Sequence, residues 1–185
     1  MSKVIGILAG SLRKESFSKK IGKSLLDFAP EGFEFKLIAL DELVIYNQDF
    51  DDHNEVPESI TRFRKEMSAV AGVIFITPEY NRSVPGVLKN AIDVGSRPAG
   101  RSVWDKKPAA IFSNSPGNIS AFGANHHLRQ SLVFLNMPTM QQPEVYLAHV
   151  NDFFDEKGDL KESENKDFLK KAVEAYIKWF DKNAE

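Results

Sequence analysis

The chain has 185 residues, of which 42% are hydrophobic, 27% charged and 11% aromatic; this is the balance of an ordinary globular domain and excludes collagenous, coiled-coil and disordered classes. Twenty-four Lys and Arg against 26 Asp and Glu leave a formal charge of -2, which offers neither nucleic acid nor an anionic membrane a cationic surface. With no cysteine, disulfides, thiolate zinc sites, iron-sulfur clusters and cysteine nucleophiles are excluded, so any redox chemistry has to be borrowed.

Val4-Ile5-Gly6-Ile7-Leu8 is a β-branched apolar run ending in Ala9-Gly10-Ser11, the pattern of a strand buried on both faces. The run is too short for a signal-peptide core or a bilayer span, so a cytoplasmic location is expected, and the sequons at Asn81 and Asn118 are chance matches. Ser16 and Ser18 can each cap a helix; Ile21, Leu25, Leu26 and Phe28 follow at helical spacing until Pro30-Glu31-Gly32. Alternation of Phe33, Phe35, Leu37 and Ala39 predicts a strand over 33–40, and 41–56 has no clear period and reads as a long loop.

Pro57 suits a first helical turn, with Ile60, Phe63, Met67 and Val70 continuing at three-and-four spacing. Residues 72–77 form the most apolar strand in the chain, which places it centrally. Pro85 opens a helix carrying Leu88, Ala91, Ile92 and Val94, and a Gly/Arg/Ser loop runs over 96–107. A strand at 109–113, a turn-rich stretch at 114–118, a helix at 127–135 and a weaker strand at 139–145 come next. Phe168, Leu169, Ala172, Val173, Tyr176 and Phe180 mark one face of a last helix.

Strands alternating with helices, the strands apolar throughout, predict an α/β doubly wound parallel sheet of five strands covered on both faces, as one domain over 1–185. Ligands of such sheets bind beyond the carboxyl ends of the strands, near the point where strand order reverses. The loops starting at Gly10, Pro78 and Asn114 are therefore the candidates.

The first, Gly10-Ser11-Leu12-Arg13-Lys14-Glu15-Ser16-Phe17-Ser18, puts hydroxyls and an arginine at a helix start, where unpaired N–H groups suit a phosphate; a plain helix cap with solvated charges is the alternative. No G-x-G-x-x-G follows the first strand, and Gly22-Lys23-Ser24 has Phe17 where a Walker loop needs glycine, so a Rossmann NAD site and nucleotide hydrolysis are disfavoured. The acids of a phospho-acceptor are missing where Ala9-Gly10-Ser11 stands. The second loop, Pro78-Glu79-Tyr80-Asn81-Arg82-Ser83-Val84-Pro85, is pinned by a proline at each end, with Tyr80 offering a planar face. It suits a flavin ring, or a sharp strand-to-helix turn in which Asn81 is a local cap.

Gly10-Ser11-Leu12-Arg13 through Ser18, then Pro78-Glu79-Tyr80-Asn81 and Ser83-Val84-Pro85-Gly86-Val87-Leu88-Lys89-Asn90-Ala91-Ile92-Asp93, together resemble the NADPH-dependent FMN reductase family over about residues 4–144. The resemblance implies a flavodoxin-like sheet of order 2-1-3-4-5 and an FMN enzyme with NADPH or NADH as co-substrate. Its second acceptor would be a small molecule such as a quinone, flavin, azo compound or metal oxyanion. It implies Ser11, Arg13, Ser16, Phe17 and Ser18 around the FMN phosphate. Pro78, Glu79, Tyr80, Asn81 and Arg82 would meet the isoalloxazine, mainly through backbone groups, and Ser115 would be the third-loop contact. Family members often carry a tyrosine at the position of Arg82. A homodimer or homotetramer is a further implication.

No catalytic side chain and no metal ligand is required by this chemistry; Arg82 and Arg101 are candidates for a nicotinamide-side phosphate. His126 and His127 are adjacent, so on a helix they point about 100° apart and cannot share one metal ion. Trp104 has three open readings: flavin cover, subunit contact or packing on the sheet edge. A non-enzymatic flavodoxin-like carrier is the rival function, disfavoured because such carriers are strongly acidic.

Overall fold

The computed structural model describes residues 2–184. Five strands, β1 (Lys3–Ala9), β2 (Phe33–Leu37), β3 (Gly72–Thr77), β4 (Ala109–Asn114) and β5 (Val145–Leu147), pair in parallel in the order β2-β1-β3-β4-β5. Six α-helices, α1 (Phe17–Leu26), α2 (Asp49–Asp52), α3 (Glu58–Ala69), α4 (Gly86–Gly95), α5 (Phe122–Phe134) and α6 (Glu164–Asn183), connect and cover them. The expected α/β architecture and strand order are both present. None of the described helices is long and apolar enough to cross a membrane.

The sheet divides the core in two. Helices α1 and α6 cover one face, where Ile21, Leu25, Tyr176 and Phe180 pack on Ile5, Ile7, Ile74 and Phe112. Helices α3, α4 and α5 cover the other, with Phe63, Met67, Leu88 and Leu128 against Leu8, Phe75 and Ile111. β3 is central and wholly buried, so both its faces are apolar and no alternation shows. A Cβ on Gly72 would lie 2.5 Å from the Tyr176 hydroxyl, which lets α6 close down on the sheet.

Several expectations need correction. The strand expected over 33–40 ends at Leu37; Ile38 N–H still donates to Ile7 O at 3.0 Å, and Ile38 and Leu40 are buried in the core on the α3 side of the sheet. Residues 41–56 are not a featureless loop: Asp49–Asp52 forms one helical turn, too short to show a period. Pro57 and Pro85 stand at N-cap positions, just outside the first turns they were expected to open. α5 begins at Phe122 rather than at 127, and its buried residues include Asn125, which breaks the apolar pattern. α6 likewise starts four residues ahead of its apolar stripe, at Glu164. The strand expected over 139–145 is mostly absent. Thr139 makes one bridge to Ala109, Pro143 has no N–H to give a ladder, and β5 runs only from Val145 to Leu147. Of the three readings open for Trp104, packing is the one observed, within the core rather than at an exposed edge: it is fully buried against Phe63 and Phe75 and donates through Nε1 to the Ile92 carbonyl at 2.9 Å.

The 41–56 connection is held down by polar ties. Arg64 donates both terminal nitrogens to Asp51, at 2.7 and 2.8 Å, and its Nε to the Val94 carbonyl at 3.0 Å. The Tyr46 hydroxyl donates to the same carboxylate, while Asn90 brackets the segment by accepting from Tyr46 N–H and donating to Val44 O. The Arg64 guanidinium, with help from Tyr46, holds the Asp51 carboxyl below the usual carboxylate range. A depressed folded-state value adds stability above the unfolded pKa of about 4 and loses it as pH falls through the folded value. Arg64→Met is therefore expected to cost about 2 kcal/mol at neutral pH, with the gap to the parent narrowing below about pH 4; urea denaturation at both values measures it. A constant gap would discount the ion pair.

Candidate functional site

Because paired strands end in register, Ala9 beside Ile76, Thr77 beside Ser113 and Asn114 beside Leu147, the three candidate loops rise from one edge of the sheet. Gly10 sits at the start of the first. A Cβ there would come within 3.1–3.3 Å of Leu88 and Pro78, so absence of a side chain lets the first and second loops close together.

Asn114 joins all three. Its Nδ2 donates to Ser18 Oγ at 3.0 Å and to the Thr77 carbonyl at 3.3 Å, from a buried position at the end of β4. Of the two candidate caps, Ser16 is the one used: its Oγ accepts from Lys19 N–H at 3.2 Å. Ser18 is instead buried against Asn114, and Ser11 is buried at the foot of the loop. Phe17 stacks on Phe154 with centroids 6.1 Å apart, and Arg13 projects from the exposed crest without an ion pair among the described residues. None of the backbone N–H groups from Leu12 to Ser18 donates to a protein acceptor among the described residues. Such a run of free donors, ending at the positive end of α1, is built for a polyvalent anion.

The second loop is a tight hairpin. Tyr80 and Ser83 exchange both backbone hydrogen bonds, at 3.2 and 3.0 Å, and the two residues between them, Asn81 and Arg82, take φ of 50° and 62°. Positive φ at both central positions is the requirement of a type I′ turn, at a cost of order 1–3 kcal/mol per non-glycine residue; such strain persists where the surroundings enforce it. The Asn81 and Arg82 N–H groups are left free at the tip. Tyr80 is 54% exposed, and the Thr77 hydroxyl donates to Pro78 O. Glu79 is turned away from the tip: its Oε2 accepts from Ala124 N–H in α5 at 2.9 Å, and its Oε1 lies 3.6 Å from Arg82.

In the third loop Ser115 donates through Oγ to Gly117 O at 2.9 Å, leaving its oxygen able to accept, and its own N–H and C=O are tied to Leu147 and Val150. Exposed Leu12, Tyr80, Ile119 and Phe122 give the three loops apolar rims, suited to a flat ring. His126 and His127 diverge: one ring bonds Tyr146, the other Ser83. Burial and the Glu144 carboxylate push the Tyr146 hydroxyl up to about 12.

All eleven candidate residues lie on these three loops or in the first turn of α1. Sequence reading named Asn114 only as the start of the third loop, with Ser115 as its contact, and did not single out Asn125 or Gly123. Asn125 donates to Ser113 Oγ and accepts from Arg129, which in turn donates to Met140 O. The one available signal was an asparagine closing an otherwise apolar strand.

This is a flavodoxin-like crevice at the carboxyl edge of a parallel sheet, with a run of unpartnered amides on one side and a strained hairpin on the other. The profile of the NADPH-dependent FMN reductase family matches residues 2–152, and the chain belongs to that family. It is 47% identical over 179 residues to a quinone reductase of Pseudomonas putida, covering 97% of this chain and 95% of that one. A 2-hydroxy-1,4-benzoquinone reductase of a Burkholderia species is 38% identical over 179 residues, covering 97% of each. Among solved structures, the flavoenzyme NAD(P)H:(acceptor) oxidoreductase FerB of Paracoccus denitrificans superposes with a TM-score of 0.90 at 36% identity, covering 99% of this chain and all of that one. The protein is an oxidoreductase that uses FMN and NAD(P)H.

The residues present fit that cofactor. The free amides of the first loop match a terminal phosphate, and the free amides of Asn81 and Arg82 match the acceptor-rich edge of a flavin.

Proposed function

We propose that this chain is an NAD(P)H:quinone oxidoreductase of a single domain, acting in the cytoplasm, with Ser11, Arg13, Ser16, Phe17 and Ser18 around the FMN phosphate. Pro78, Glu79, Tyr80, Asn81, Arg82 and Ser115 border the ring. The run of unpartnered amides from Leu12 to Ser18, beside a hairpin that leaves two further amides free, carries the reading.

FMN supplies the two-electron chemistry that links a nicotinamide to a quinone. The chain's own part is to bind and to shape. Backbone donors of Asn81 and Arg82 would face the ring edge and would favour negative charge there. Tyr80 and the apolar rims keep water from the ring face. Quinone as the acceptor is supported by the activities named for the relatives at 47% and 38% identity. Homo-oligomer formation is supported by Val133 and Phe134, 75% and 86% exposed at the end of α5, beside a groove of about 540 Å³ between α4 and α5. Those are large apolar side chains to leave in water.

Rapid mixing of the FMN-loaded protein with NADPH or NADH tests the enzyme reading: the yellow colour is expected to bleach within seconds and to return on addition of a benzoquinone. Steady-state rates over quinones, free flavin, azo dyes and chromate are expected to rank quinones first. Colour persisting for minutes after NADPH would identify an electron carrier instead.

A further inference from the structure

We propose that Glu79 is a positioning residue that caps α5 from outside the helix and thereby holds the hairpin to the third loop. This rests on the reading that the hairpin borders the flavin ring. Helix α5 lacks a cap of its own. Its N-cap residue is Ala121, at φ 59° and following Ser120 at φ 56°, and neither side chain reaches a first-turn amide. A helix start leaves its first amides without acceptors, and a missing cap costs about 1 kcal/mol. Glu79 supplies the acceptor from 45 residues away: Oε2 takes the Ala124 N–H at 2.9 Å, with the carboxylate only 14% exposed and facing the positive end of the helix.

Two neighbouring features show that the contact is built. A Cβ on Gly123 would stand 2.9 Å from Arg82 O and from Glu79 Oε2, so the hairpin backbone lies directly on the helix. One turn further on, the His127 ring shares a hydrogen bond with Ser83 Oγ at 2.9 Å. The hairpin is thus fastened at both ends to the helix into which the third loop runs, and the Glu79 carboxylate is committed to that joint rather than to proton transfer.

Three variants test this by amide hydrogen exchange at Ala124 in the FMN-free protein and by FMN titration. In Glu79→Ala, Ala124 exchange is expected to accelerate about tenfold and the FMN dissociation constant to rise about tenfold, while far-UV circular dichroism stays unchanged. Glu79→Gln, which keeps an acceptor of the same reach, is expected to restore most of both. Glu79→Asp, one methylene too short, repeats the alanine result and serves if the alanine variant does not fold. Unchanged Ala124 exchange in the shortened variants would overturn the cap, and faster exchange with unaltered FMN affinity would overturn the positioning role. Failure of the parent protein to bind FMN would instead overturn the functional reading and leave the exchange result standing.

Discussion

Trp104→Ala is expected to destabilise the protein by about 4 kcal/mol while leaving the FMN affinity of the folded molecules unchanged. Truncating a fully buried tryptophan loses its transfer free energy and leaves a cavity, at a typical cost of 3–5 kcal/mol. Here the indole is wedged among Phe63, Phe75 and Gly95, where a glycine Cβ would stand only 2.6 Å from the ring. The site has little freedom to collapse, because α3, α4 and β3 hold its walls. The Ile92 carbonyl also loses its donor. Trp104→Phe keeps part of the volume but not the donor, and an intermediate loss of about 2 kcal/mol is expected. The indifference of FMN follows from placement. Gly95 ends α4 and Trp104 lies in the segment leading to β4, so the indole is at the amino edge of the sheet, opposite the three loops. Urea denaturation gives the stability change, and fluorescence titration of the folded variants gives the affinity. A large loss of FMN affinity without loss of stability would mean that Trp104 serves the cofactor after all.

Legibility in the sequence followed the physics of burial. β1, β3 and β4 lie between helix layers, so their apolar runs are unbroken and their positions could be read directly. The elements that escaped are those where burial and polarity part company. β5 is a three-residue edge strand after a proline, and α5 buries Asn125 to serve Ser113 and Arg129, which reads as a polar interruption. The hairpin was visible as a proline-bracketed segment, but not its consecutive left-handed residues: Asn81 is a common choice for such φ, and Arg82 is not. Contacts such as Asn114 to Ser18 and Thr77, or Glu79 to Ala124, join residues 37 to 96 positions apart and leave no local pattern to find. Loop placement follows from topology, whereas the ties among the loops are long-range and have no local sequence signature.

Replacing Arg13 and Ser16 together by alanine is expected to weaken FMN binding about 100-fold while leaving riboflavin binding unaltered. Arg13 has no carboxylate partner among the described residues, so its guanidinium is available to a phosphate, and a charge-assisted hydrogen bond contributes about 1.5–3 kcal/mol. The Ser16 hydroxyl adds about 1 kcal/mol, which brings the sum near 3 kcal/mol, or two powers of ten. Ser16 also caps α1 through Lys19 N–H, so its loss costs about 1 kcal/mol of stability, too little to unfold a domain of ordinary margin. Riboflavin carries the same ring without the phosphate and therefore separates anion binding from damage to the crevice. The parent should prefer FMN to riboflavin and lose part of that preference as salt is raised, because Arg13 stands on the exposed crest; the double variant should keep only the smaller preference that the amides and the helix terminus supply, with a weaker salt dependence. Equal weakening of both ligands would point to a distorted crevice, and undiminished FMN affinity would place the phosphate away from this loop. A loss selective for FMN but short of complete is the expected outcome, since the free amides between Leu12 and Ser18 would then hold the phosphate alone, by neutral donors and a helix terminus.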